Sequence, residues 1–243
     1  MNFRIVAPTA LEYFASLVQS DNGFPLLESA ISLAHDEYPE MDIQEVLGQV
    51  DQLVNRLKNR LSADAGAIQK LRVLNKFFFE EMGFSGNTNN YYDPDNSYLH
   101  VMLRTRRGIP ISLAVLWLEL ATQIGIEAFG VGFPGHFLVI VYLPYPHDGK
   151  VVIDPFTGQS LSKDNLMERL EPIYAETGLS IDGAVTEEVL KHYLRNASPR
   201  EIMARMLRNL EEVYTAQADT QRLSQVRKRL EVLLPSWDEE HNA

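Results

Sequence analysis

From Ile111 to Ile124 the chain is apolar nearly all the way round a helix, and that run limits what the sequence can fold into. A helix with one apolar stripe can lie on a surface, but one apolar on every face needs cover on every face. Pro110 suits its first position, where an N–H would find no intrahelical partner. Gly125 suits the left-handed position at its end. Short β-prone runs follow, Ala128 to Gly132, Phe137 to Val141 and Val151 to Ile153, cut by Gly and Pro. Asp148-Gly149 is a strong turn signal between the last two. The spacing predicts strands near 129–132, 137–142 and 151–154, antiparallel and packed on the enclosed helix. The expected class is α+β.

Three residues in this stretch stand in an order that chemistry can use. Ser112 lies in the first helical turn, just after Gly108-Ile109-Pro110. His136 follows the tight turn Phe133-Pro134-Gly135 and opens a strand. Asp154 closes the next strand. A nucleophile at a helix start, then His on one strand, then Asp on the next, resembles the transglutaminase-like superfamily, relatives of the papain-like proteases. More closely, NSYLHVMLRTRRGIPISL, GVGFPGHFLV and VIDPFTG resemble the SirB family of bacterial transglutaminase-like proteins, over about Asn90 to Ser162.

The resemblance implies a transglutaminase-like (papain-like) core with helical additions at both ends. It also implies a site of Ser112 as nucleophile, His136 as base and Asp154 as orienting carboxylate, the three converging with His136 in the middle. One departure matters. The enzymes of the superfamily carry Cys at the helix start, and this chain has no cysteine. A helix N-terminus and a histidine stabilise a thiolate, but the same field does not ionise a serine. Ser112 needs a working general base and an oxyanion hole. Two functions therefore stand open. One is a non-catalytic, regulatory or adaptor protein that binds another protein or peptide. The other is acyl transfer or amide hydrolysis by a Ser-His-Asp triad. Arg104, Arg106 and Arg107 form the strong basic cluster nearby, read either as ion pairs with carboxylates or as a substrate clamp at the mouth of the Ser112 site.

Composition narrows the partners. The net charge of −11 over 243 residues argues against a nucleic-acid or anionic-membrane surface, which needs a basic footprint. Without cysteine there is no disulfide, thiolate metal site or thiol catalysis, and no cofactor or metal is expected. Asp93-Pro94-Asp95-Asn96-Ser97 lacks the closing Glu of a calcium loop and reads as turn chemistry. No stretch approaches the ~20 apolar residues of a membrane span, and the first residues lack a signal peptide's unbroken apolar region. A cytoplasmic location is the default expectation.

The flanks read as helices. Thr9 to Val18, Phe24 to Tyr38, Asp42 to Leu61 and Ala63 to Met82 make an N-terminal helical subdomain, residues 1–83. The core spans 84–184. It ends with a helix from Ser162 to about Leu170 and an irregular stretch to Ala184. The C-terminal segment, 185–243, holds a weak helix from Thr186 to Tyr193 and a helix pair, Ser198 to Ala216 and Asp219 to Leu233. Pro199 to Pro235 is similar to one tetratricopeptide-type unit, with 37 positions against a period of about 34. A single unit cannot bury both its faces. The pair is expected to dock by Ile202, Met206, Leu210, Leu223, Val226 and Leu230. Trp237 to Ala243 is polar and expected to fray.

Overall fold

The computed structural model describes residues 8–177 and 183–235. The first helices are α1 (Ala10–Leu17), α2 (Leu26–Ser32), α3 (Ile43–Lys58) and α4 (Ala67–Asn75). A 3-10 turn, Leu33–Asp36, extends α2, and a wider π turn, Lys76–Glu81, extends α4. Thr9 and Glu12 close a reciprocal capping box at α1. Asp42 caps α3 through the Gln44 and Glu45 N–H groups.

Strand β1 (Ser85–Gly86) pairs in parallel with β2 (Arg107–Gly108), and α5 (Leu99–Thr105) lies between them in sequence. Next come α6 (Pro110–Gln123), β3 (Ala128–Val131), β4 (Leu138–Leu143), β5 (Gly149–Ile153) and β6 (Ser160–Leu161). The last four strands form an antiparallel sheet in chain order; the turn signal and strand spacing predict the first three, and β6 extends the sheet beyond them. Helices α7 (Lys163–Thr177), α8 (Gly183–Tyr193), α9 (Pro199–Ala216) and α10 (Thr220–Leu233) follow. The helix after Ser162 thus runs past Leu170 and through Pro172. Leu166 and Leu170 are buried beneath the sheet, and that packing outweighs the backbone bond a proline removes. Residues 178–182, within the stretch read as irregular, and Trp237 to Ala243 lie outside the described residues.

Helix α6 is the enclosed element that its composition demands: eleven of its residues, from Pro110 to Ala121, are buried. The sheet uses its period of two to serve two cores. Phe137, Val139 and Val141 face the core around α6. Leu138 and Ile140 face Leu166 and Leu170 of α7 and Leu190 of α8. The larger core runs continuously from Phe14 to Leu233 and takes in Ile202, Met206 and Leu210 of α9 and Val226 of α10. Leu223 and Leu230 pack on it half-buried. The C-terminal pair docks by the stripe expected of it.

Candidate functional site

His136 is presented by a tight turn. Its N–H donates to the Phe133 carbonyl at 3.0 Å, and Gly135 supplies the positive φ of 65°. The imidazole Nε2 lies 2.8 Å from Asp154 Oδ1. Asp154, at the end of β5, is 1% exposed. Its Oδ1 also accepts the Phe156 N–H at 2.9 Å, and its Oδ2 accepts Arg169 Nη2 at 2.9 Å. Burial raises the pKa of this carboxyl. The His136 bond and charge, Arg169 and the Phe156 N–H outweigh it and hold the pKa at about 2. Asp154 therefore stays ionised and fixes one imidazole nitrogen, which leaves Nδ1 for a ligand.

Ser112 is not part of that pair. It is fully buried, and its hydroxyl donates to the Asn96 carbonyl at 2.6 Å, with the Ile109 carbonyl at 3.0 Å. It also accepts the Ile109 N–H at 3.2 Å. The expected convergence with His136 in the middle is thus met by two residues, His136 and Asp154. The first turn of α6 aims Ser112 at the loop behind it. Asn96 anchors that loop, with its side-chain amide on the carbonyls of Asn90 and Tyr91 and its Oδ1 accepting Asn87 Nδ2.

A cavity of about 290 Å³ opens beside His136. Ile109, Pro110 and Ile111 form its floor at the start of α6, and Gly135, His136 and Phe137 one wall. Tyr91 and Tyr92 form the lip, 42% and 66% exposed. Arg205, Asn209 and Glu212 close it from α9. Arg205 does more than line it: Nη2 donates to the His136 carbonyl at 2.9 Å and the Phe133 carbonyl at 3.2 Å, tying both ends of the histidine turn to α9.

The basic cluster expected at this mouth lies elsewhere. Arg104 lines a separate groove with Tyr38, Glu40 and Glu45. Arg106 takes the left-handed end of α5 at φ 61° and stacks its guanidinium 4.6 Å from the Phe84 ring centre. Arg107 donates to the carbonyls of Gly83 and Arg106. Among the described residues none of the three lines the His136 cavity, and Arg106 and Arg107 are held by an aromatic ring and by backbone carbonyls rather than by carboxylates. The cavity's arginine is Arg205, 69 residues after His136. In the sequence it is one of several arginines on an amphipathic helix, and nothing marks it.

Comparison with known proteins gives a consistent picture. The family model described as the transglutaminase-like superfamily matches residues 44–208. A UPF0162 protein of Xylella fastidiosa is 37% identical over 221 residues, covering 90% of this chain and 75% of its own. A UPF0162 protein of Pseudomonas aeruginosa is 31% identical over 191 residues, 79% of this chain and 65% of its own. F-box only protein 21 of Homo sapiens is 30% identical over 149 residues, 51% of this chain and 23% of its own. No solved structure matches the chain.

Proposed function

The chain belongs to the transglutaminase-like superfamily, and from that premise we propose that it is a non-catalytic member, an adaptor that binds another protein in the cavity beside His136. The observation that carries this reading is Ser112. Its hydroxyl is buried and bonded to backbone groups, so the helix start offers the cavity only Ile109, Pro110 and Ile111. A cavity with an apolar floor, a tyrosine lip and one fixed imidazole suits a peptide segment. Tyr91 and Tyr92 give large contact area at low entropy cost, and His136 Nδ1 accepts one N–H from the bound chain. The SirB likeness and the tetratricopeptide-type spacing of α9 and α10 fit the same adaptor role, since helical-repeat units bind proteins on their free faces.

The second reading, acyl transfer or amide hydrolysis, draws on the intact His136–Asp154 pair. It requires Ser112 to leave three backbone partners and turn toward the cavity. A displayed peptide library separates the two. Selected peptides are expected to lose affinity on Tyr92→Ala and on His136→Ala, while amine and glutamine donors give no turnover. Turnover that is lost in Ser112→Ala, or covalent labelling of Ser112 by a fluorophosphonate, overturns the adaptor reading.

A further inference from the structure

A second, wider cleft of about 710 Å³ lies on the other side of Arg205, between the end of β3, the segment after α8 and the face of α9. The chain as a whole is strongly acidic, with 33 carboxylate side chains against 22 lysines and arginines. In this cleft the balance inverts. Among the described residues, Arg195, Arg200, Arg205 and Arg208 line it against Asp21 and Glu201 alone. Both carboxylates are already engaged. Asp21 takes Arg200 Nε at 2.6 Å, and Glu201 takes the Ser198 N–H as the capping partner of α9.

The arginines differ in what they can offer. Arg200 has its three donor nitrogens committed to Asp21 and to the carbonyls of Val18 and Leu233, so it acts as a fixed charge. Among the described residues Arg205 commits only Nη2, to the two carbonyls of the histidine turn. A Cβ on Gly132 would stand 3.5 Å from its Nη1, so the missing side chain leaves that edge of the guanidinium open. Arg195 is 68% exposed and its ion pair with Glu201 is at the surface, where exchanging one carboxylate for another costs little. A guanidinium already held in place loses less freedom on binding a carboxylate.

We propose that this cleft is an anion-recognition site for an acidic peptide segment, whose Asp and Glu carboxylates engage Arg195, Arg205 and Arg208. Charge complementarity selects the sign of the ligand. Its size follows from continuity: Arg205 and Asn209 line both this cleft and the His136 cavity, so an extended segment can occupy one and reach the other. The proposal does not depend on what the His136 cavity binds, because Arg195 and Arg208 line only the cleft.

The test is fluorescence anisotropy of a labelled oligoglutamate with the full chain. It is run in parallel with a variant carrying Asp238→Asn, Glu239→Gln and Glu240→Gln, so that the chain's own acidic run cannot compete. Glycine-serine and oligolysine peptides of equal length are the comparators. Oligoglutamate is expected to bind, to weaken between about 50 and about 300 mM NaCl, and to bind at least about tenfold more weakly to the Arg195→Gln/Arg208→Gln double variant. Both arginines are exposed, and an unchanged melting curve verifies that the double variant folds. Oligoglutamate binding no better than glycine-serine in both backgrounds, equal binding by the double variant, or preferential oligolysine binding overturns the proposal.

Discussion

The hydroxyl of Ser112 reaches back 16 residues to the carbonyl of Asn96, 2.6 Å away, and so closes the loop behind α6 onto the helix start. Ser112→Ala removes the shorter of that buried carbonyl's two donors and leaves it the Ile109 N–H at 3.4 Å. The expected cost is about 0.5–1.5 kcal/mol, the range for one net hydrogen bond, read from urea unfolding. In Ser112→Cys the introduced thiol sits where the hydroxyl is fully buried, so the folded variant is expected to resist alkylating reagents. Rapid alkylation under native conditions shows instead that the helix start opens to the cavity.

Gly108 probes the same seam from the other side. A Cβ there would lie 2.7 Å from Ser112 Oγ and 2.9 Å from Met102 Sδ. Gly108→Ala forces one of them to move, and overpacking of this kind costs about 1–3 kcal/mol. The double variant Gly108→Ala/Ser112→Ala relieves the clash with oxygen. Its loss is expected to be smaller than the sum of the two singles, a non-additivity that a double-mutant cycle measures.

Asp154 gives a pH signature. Its pKa is held at about 2 against an ordinary 3.8. A carboxylate whose pKa is depressed on folding stabilises the fold above the unfolded value and loses that contribution as pH falls through the folded one. The contribution is about 2 kcal/mol, expected to be complete near pH 5 and to fade between pH 4 and 2. The difference between wild type and Asp154→Asn in urea midpoint should shrink across that window. A difference that stays constant shows that Asp154 does not titrate as described.

Asp36 and Arg229 test the docking of the last helix. Arg229 is 3% exposed and pairs with Asp36 at the end of the 3-10 turn after α2. Its Nε and Nη2 are buried without a hydrogen-bond partner among the described residues. Asp36→Ala strands a buried cation and is expected to cost about 3–5 kcal/mol, whereas Arg229→Met is expected to cost far less. Equal losses in equilibrium unfolding contradict that asymmetry.

The sequence carried the elements that local rules govern. The enclosed α6 follows from its unbroken apolar run. The β4–β5 hairpin follows from Asp148-Gly149, with Asp148 at φ 37°. The capping boxes at Thr9 and Ser198 follow from Glu three places on. The pairing of His136 with Asp154 was legible through family likeness. The direction of Ser112 was not, because a first-turn position fixes a residue's height on the helix and leaves its outlook to the packing around it. Arg205 was invisible for a different reason: its partners are backbone carbonyls, which every residue owns. The arginine trio misled because the left-handed residue Arg106 turns the chain within the cluster.

The bonds that join the two ends of the molecule also set a timetable for its synthesis. Arg200 reaches Asp21 and the Val18 carbonyl across 179 and 182 residues, and Arg229 reaches Asp36 across 193. A chain made from its N-terminus emerges with α1 and α2 before the helices that cover them. Pairings so distant along the chain are slow to form. Until α9 leaves the ribosome the histidine turn has no Arg205 to hold its carbonyls, and until α10 follows, the carboxylate of Asp36 waits without its cation. The nascent protein therefore completes its site with α9 and gains the cation for Asp36 with α10, and any pause in translation before Pro199 holds an open apolar face in solution.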